Sequence, residues 1–308
     1  MTLTNRPTEA PGRLRLGSEL DVNRLGFGVM QLPGLGCWGP PRDRPAALAV
    51  LRRAVELGVD YIDTSDFYGP HVANELIREA LHPYRDDLVI GTKVGVVRDG
   101  RGDWRPAGSP DQLRTQIEQN LARLGKDRLE LVYLRVGGDG LLPAGRDAFD
   151  ESVAALVELH EQGVIGALGL SGVTTGQLRQ ALATTPVVAV QNRFNLLDRG
   201  SADVLRLCEE NGVAFVPYFP LAAGTLGPGG RGLPFGPTLD RARAKVLDRI
   251  ADAHEATRAQ VSIAWLLAHS PTILVIPGTS SVAHLEENLA AGGLRLSEAE
   301  VAALDALA

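Results

Sequence analysis

Cysteine is nearly absent from this chain. Cys37 and Cys208 are the two thiols among 308 residues and lie far apart. They offer neither a disulfide framework nor the paired spacing of a zinc site, so no metal is expected. Both read as reduced cysteines of a cytoplasmic protein. Long apolar runs are missing as well, and none approaches the ~20 residues that a membrane helix needs. Residues 1–12 are polar and proline-containing, with no apolar core. They read as a disordered tail and not as a secretory signal. There is no basic excess either: the net charge is −6, which argues against a nucleic-acid partner, since such proteins carry a basic face. Finally, Gly26-Phe27-Gly28-Val29-Met30-Gln31 lacks the third glycine of a dinucleotide-binding turn, which counts against a doubly wound open sheet.

What is present is an alternation of short apolar runs with amphipathic segments. Arg13 to Leu16 and Leu20 to Val22, joined by Gly17-Ser18-Glu19, read as a hairpin. The strand-like runs that follow are Leu25 to Met30, Val59 to Asp63, Leu88 to Lys93, Leu129 to Arg135, Val164 to Ser171, Val187 to Gln191, Val213 to Tyr218 and Thr272 to Ile276. They are apolar on both faces, as parallel strands covered on both sides are. Asp43 followed by Pro45 opens the first helix, and Ser109, Thr174 and Ser297 each begin a capping box with Gln112, Gln177 and Glu300. Arg241 to His269 reads as two helices that break near Glu255 to Thr257. Leu226 to Thr238, dense in glycine and proline, reads as a mobile loop at the mouth of a site. The class is α/β: a (β/α)8 TIM barrel with an N-terminal β-hairpin and a C-terminal extra helix, one domain over residues 13–308.

A barrel gives six residues a common address. Asp63, Lys93, Arg135, Ser171, Gln191 and Tyr218 each end a predicted strand, and all such ends lie on the face that carries active sites. Singly, each has a plain reading as a helix cap, a surface lysine or a rim aromatic. Together they point to a site. Tyr68 lies five positions after Asp63, in the loop. A carboxylate, a phenol and an ammonium make a proton relay. A free tyrosine titrates near ~10, and a neighbouring ammonium lowers that value. Lys93 needs a counter-ion if it is buried, and Asp63 is the candidate. Tyr68 would then protonate a carbonyl oxygen as hydride reaches the carbon. Trp38 and Phe67 form either an aromatic wall for a flat substrate or ordinary packing. His71 adjoins the loop and is a candidate substrate contact, whereas His82, His160, His254 and His269 read as surface or packing residues.

Asp63, Tyr68 and Lys93, in this order on consecutive strands, resemble the aldo-keto reductase superfamily, from about Asn23 to the C-terminus. Ile62-Asp63-Thr64-Ser65-Asp66-Phe67-Tyr68-Gly69-Pro70-His71 is most similar to a bacterial subgroup that includes pyridoxal reductases. The resemblance implies a barrel plugged by the hairpin and reduction of an aldehyde or ketone, with Tyr68 as proton donor and Lys93 and Asp63 supporting it. The family usually carries histidine where Arg135 stands. An arginine keeps its charge and offers five donors, so it favours an anionic or phenolic substrate and a developing oxyanion. Replacement of that histidine elsewhere accompanies reduction of carbon–carbon double bonds, the alternative activity.

For the cofactor, the resemblance assigns Ser171 and Gln191 to the nicotinamide carboxamide, although Gly172 stands where the family has asparagine. Tyr218 would stack on the ring, Leu221 would line the pyrophosphate, and Met30 and Asp63 would add contacts. Thr279 and Ser280 would meet a 2′-phosphate at a helix N-terminus, with Glu287 and Asn288 on adenine. Many relatives have lysine at Gly278 and arginine at His284. NADPH is the expected cofactor, with NADH as the alternative. The expected partner is a small carbonyl substrate, with no nucleic acid and no membrane, and the sequence leaves the oligomeric state open. Two rival readings are a nicotinamide-binding sensor subunit and a barrel enzyme that uses Lys93 as a Schiff-base nucleophile.

Overall fold

A computed structural model describes residues 11–227, 230, 232 and 236–307. The tail reading of residues 1–10 and part of the loop reading at 226–238 lie outside the described residues. An antiparallel hairpin, β1 (Arg13–Leu16) and β2 (Leu20–Asn23), comes first. The staves β3 (Phe27–Gly28), β4 (Tyr61–Asp63) and β5 (Val89–Val94) follow, then a second hairpin, β6 (Val96–Arg98) and β7 (Trp104–Pro106). The remaining staves are β8 (Leu129–Arg135), β9 (Ile165–Ser171), β10 (Ala189–Gln191) and β11 (Ala214–Phe215). Seven staves form one parallel sheet in the order β11-β10-β9-β8-β5-β4-β3.

The eighth run does not form a regular strand, yet it joins the two sheet edges. On one side the Gly26 N–H donates to Val275 O and the Val275 N–H to Arg24 O, both at 2.9 Å. On the other, the Phe215 N–H donates to Thr272 O at 2.9 Å and the Leu274 N–H to Phe215 O at 3.0 Å. The sheet therefore curls into a closed (β/α)8 arrangement. β3 is shorter than its apolar run because the chain turns into a 3-10 turn at Val29–Gln31. β11 is short because Pro217 lacks a donor for the ladder.

Helices cover the outside: α1 (Arg44–Glu56), α2 (Val72–Leu81), α3 (Pro110–Leu124), α4 (Phe149–Glu161), α5 (Thr175–Leu182), α6 (Ala202–Asn211), α7 (Arg241–Ala253), α8 (Arg258–His269), α9 (Val282–Ala290) and α10 (Glu298–Asp305). The Asp43 carboxylate caps α1 by accepting from the Ala46 N–H, and capping boxes open α3, α5, α8 and α10. Among the described residues no helix is long and apolar enough to cross a membrane.

The barrel interior is a separate apolar layer that includes Tyr61, Val89, Leu131, Tyr133, Ala167, Ala189 and Leu274, with Leu16 and Val22 of the hairpin packed against it. The Asp60 carboxylate ties the hairpin down, accepting from Arg13 at 3.0 Å and from the Asn23 N–H at 2.9 Å. Asp60 directly precedes β4, so the hairpin is held beside the start of that stave. The Tyr61 and Tyr133 hydroxyls meet at 2.8 Å, so neither is left unpaired in the core. Glycines on neighbouring staves make room for these rings. A Cβ at Gly169 would lie 2.4 Å from the Tyr133 ring, and one at Gly91 2.4 Å from the Tyr61 hydroxyl. We expect Gly169→Ala to cost about 1–3 kcal/mol of stability through overpacking, read as a lowered urea midpoint. An unchanged midpoint would mean that this layer can rearrange freely.

Candidate active site

The register of adjacent staves delivers the charged groups. β4 and β5 pair with Asp63 opposite Gly91, so Asp63 and Lys93 end neighbouring staves. The Lys93 ammonium donates to both Asp63 oxygens, at 2.7 and 2.9 Å, and to Thr64 O at 2.9 Å. These bonds use all three of its hydrogens, and each side chain is 5% exposed. Burial lowers the Lys93 pKa, Arg135 lowers it further, and Asp63 pulls it back up.

Tyr68 packs beside this pair, buried, with the Lys93 Nζ 5.0 Å from its ring centre. The ammonium is therefore spent on Asp63 and Thr64 and is not hydrogen-bonded to the phenol. The pKa differs in direction from the sequence reading. Burial pushes Tyr68 well above the usual tyrosine value, Asp63 and Cys37 push the same way, and Arg135 opposes them. Desolvation of a phenolate outweighs the nearby cations, so Tyr68 holds its proton.

A buried polar network supports the loop that carries Tyr68. Thr64 Oγ1 donates to Asn74 Oδ1 at 2.8 Å, and Asn74 and Thr92 donate to Asn120 Oδ1 at 2.9 and 2.6 Å. Asn74 also donates to Asp66 at 3.2 Å. His71 hydrogen-bonds to Asp66 at 2.8 Å, so it braces this loop. His160 bonds to Ile165 O, His254 to Glu300, and His269 packs on Trp265.

Arg135 is 8% exposed at the end of β8. Its Nη1 donates to Val136 O at 2.7 Å and its Nη2 to Asp139 Oδ2 at 2.6 Å. Tyr218 donates its hydroxyl to the same Oδ2 at 2.8 Å. Gln191 donates through Nε2 to Asp63, while its buried Oε1 has no partner among the described residues. Asn192 accepts from the Gly172 and Val173 N–H groups at 3.0 Å, which fixes the turn after Ser171.

An aromatic wall flanks Tyr68. The Phe67 ring lies edge-on to Tyr68 at 5.2 Å and to Trp104 at 5.0 Å. The Arg98 guanidinium sits between Trp38 and Trp104, 5.0 and 4.9 Å from their ring centres. Trp104 escaped the sequence reading because it rides on the β6–β7 hairpin. Its signal was available: Asp99-Gly100 sits between Val96-Val97-Arg98 and Trp104-Arg105, a short hairpin pattern. Asp139, in Gly137-Gly138-Asp139-Gly140, carried no comparable signal.

The remaining candidate residues lie on the side of β3 and α9. Met30 is half-buried and packs on the core. Gly278 approaches β3 so closely that a Cβ would lie 2.6 Å from Gly28 O, which explains why no lysine stands there. Thr279 Oγ1 accepts from the Ser281 N–H at 3.1 Å, and Ser281 caps α9 beside His284. Ser280 borders a cleft of about 420 Å³ whose walls include Gln31, Leu32, Arg42 and Asp43. Glu287 accepts from Thr257 Oγ1 at 2.7 Å, and Asn288 is buried. After Tyr218, left-handed backbone recurs at Phe219, Ala222 and Ala223, around Leu221, the kind of strain that collects at functional sites.

Known proteins resemble this chain over nearly its whole length. Residues 24–308 match the aldo/keto reductase family. The pyridoxine 4-dehydrogenase of Escherichia coli is 47% identical over 287 residues, covering 93% of this chain and 95% of that protein. A thermostable aldo-keto reductase, crystallised with the inhibitor epalrestat, superposes with a TM-score of 0.81 at 29% identity, covering 96% of this chain and 100% of that one. A Klebsiella pneumoniae aldo/keto reductase, crystallised with NADP and acetate, gives 0.76 at 26% identity, covering 96% and 94%.

The Lys93–Asp63 pair has a measurable consequence. We expect Lys93→Met to cost about 3–5 kcal/mol by leaving Asp63 buried without its cation. We expect Lys93→Met/Asp63→Leu to recover most of that stability in urea denaturation. Single variants as stable as the parent would show that water reaches the pair.

Proposed function

We propose, on the premise that this chain belongs to the aldo/keto reductase family and is an NAD(P)H-dependent oxidoreductase, that it reduces aldehydes or ketones to alcohols with NADPH. An aromatic aldehyde such as pyridoxal is the best single substrate. The observation that carries this reading is a proton-holding Tyr68 beside the buried Lys93–Asp63 pair, at the open end of the barrel. Bound NADPH would supply the hydride. Tyr68 would give its proton to the carbonyl oxygen, and Arg135 would donate hydrogen bonds to the oxygen as it gains charge. Trp38, Phe67 and Trp104 would hold a flat ring and exclude water.

The residues present fit the cofactor. Among the described residues Gln191 Oε1 is an unpaired acceptor for a carboxamide N–H, and Gln191 pairs with Ser171 on the adjacent stave. The close approach of Gly278 leaves backbone where relatives put a lysine. Thr279, Ser280 and His284 would meet the 2′-phosphate at the start of α9, with Arg42 across the cleft supplying a cation. Asn288 would face adenine, whereas Glu287 would first have to leave Thr257. Met30, Asp63 and Leu221 would complete the contacts.

Support for pyridoxal comes from the E. coli relative, whose name denotes oxidation of the corresponding alcohol. The permanent charge of Arg135 suits a phenolic substrate and equally favours the second reading, reduction of an enone. We take residues 13–308 as one barrel domain of a cytoplasmic protein, with the N-terminal hairpin as its plug and α10 as the extra helix. Tyr68→Phe is expected to lower kcat for pyridoxal roughly 100- to 10,000-fold while NADPH still quenches the protein's fluorescence with unchanged affinity. Full activity in that variant would overturn the mechanism.

A further inference from the structure

We infer that Asp139 is a positioning residue of this site: it is the counter-ion of Arg135 and the anchor of Tyr218, and Gly172 is the space that lets the arrangement form. This rests on the roles proposed above for Arg135 and Tyr218.

A second cation close to Lys93 in a buried pocket is costly unless it has its own carboxylate. Lys93 occupies Asp63 on both oxygens, so Asp63 has little left for Arg135. Asp139 fills that need at 2.6 Å, with the two side chains 8% and 15% exposed. Burial pushes the Asp139 carboxyl up, but Arg135 and the Tyr218 hydroxyl outweigh it and hold the pKa below the ordinary value.

Asp139 is itself immobilised. Its Oδ1 accepts from the Leu141 and Leu142 N–H groups at 3.1 Å each, and its carbonyl accepts from Arg193 at 3.1 Å. Oδ2 then faces both Arg135 and Tyr218. One carboxylate therefore sets the guanidinium plane and the Tyr218 ring together, with the guanidinium carbon 5.7 Å from the ring centre. The Arg135 Nε–H carries no hydrogen bond among the described residues, so an edge of the fork is left for a ligand oxygen.

Gly172 completes the unit. Its φ is +70°, and a Cβ there would fall 1.7 Å from Arg135 Nη1. A side chain at 172 and the present Arg135 position exclude each other. The two departures from the family pattern, arginine at 135 and glycine at 172, are thus one change, and Asp139 is its third member.

Four proteins test this: the parent, Asp139→Asn, Arg135→His and the double variant. Each is assayed for pyridoxal reduction against pH and for NADPH affinity by fluorescence. Asp139→Asn keeps the side-chain shape and an acceptor for the loop amides. It is expected to lower kcat on the order of 10- to 100-fold through misplacement of the reacting groups. It should also move the alkaline limb of the kcat profile to lower pH. Lys93, Arg135, Asp63, Cys37 and Tyr218 face Tyr68, and an uncompensated Arg135 favours its phenolate.

In the Arg135→His background the same change is expected to cost clearly less kcat than in the parent, because the Arg135 share of the effect is already gone and only the loss of the Tyr218 anchor remains, the non-additivity of coupled sites. Equal losses in both backgrounds would show that Asp139 merely shapes its loop, and no loss in the parent background would show that it does nothing for the site. Either result overturns the inference. Asp139→Ser, which keeps a short acceptor without the charge, replaces Asp139→Asn should that variant not fold. If the parent reduces no carbonyl, the proposed function falls. The coupling is then read from the NADPH affinities of the same proteins, and identical affinities in all four would overturn it.

Discussion

A lysine ammonium held out of water is the constraint on which the rest of this site depends. Lys93 cannot be buried alone, since desolvating such an ion costs several kcal/mol. Parallel pairing of β4 with β5 answers this by placing Asp63 one stave away. The loop after Asp63 adds the Thr64 carbonyl as the third acceptor. Once that loop is fixed, Tyr68 is fixed with it. The phenol lies in a place too dry for a phenolate and near a carboxylate, so it keeps its proton. A tyrosine in that condition is a weak acid that keeps its proton until an oxygen beside it gains charge. The arrangement of these three side chains thus follows from a desolvation problem and its local solution.

Arg135 poses the same problem a second time, two staves beyond Asp63. Its solution uses a different geometry, because the carboxylate comes from the loop that follows β8 and not from a neighbouring stave. The glycines matter here for what they exclude. Gly172 leaves a volume that Arg135 fills, and Gly278 lets the backbone of the eighth run lie against β3. At both positions a family-like side chain is missing, and at both the present packing has no room for one.

Much of this was legible in the chain. Staves that are apolar on both faces, capping boxes at Ser109, Thr174 and Ser297, and the break before Thr257 follow from local rules, and those rules hold wherever neighbours agree with them. The convergence of Asp63, Lys93, Arg135, Gln191 and Tyr218 was also readable, because a barrel sends every strand end to one face. The rest depended on distance in space. Asp139 lies in an irregular loop, and nothing in its sequence neighbours names Tyr218 as a partner. The closing run at Thr272–Val275 bonds to both edges without forming a regular strand. The direction of the Tyr68 pKa could not be read, because it is set by burial, which outweighs charges that the sequence does show.

The most direct measurement of the central claim is steady-state oxidation of NADPH, and separately of NADH, by the purified protein with pyridoxal beside aldehydes, ketones and enones, with the product identified. Saturable NADPH oxidation with pyridoxal, yielding the alcohol, is the expected result. NADPH that binds tightly while no carbonyl of the panel is reduced, or turnover of enones alone, would contradict it.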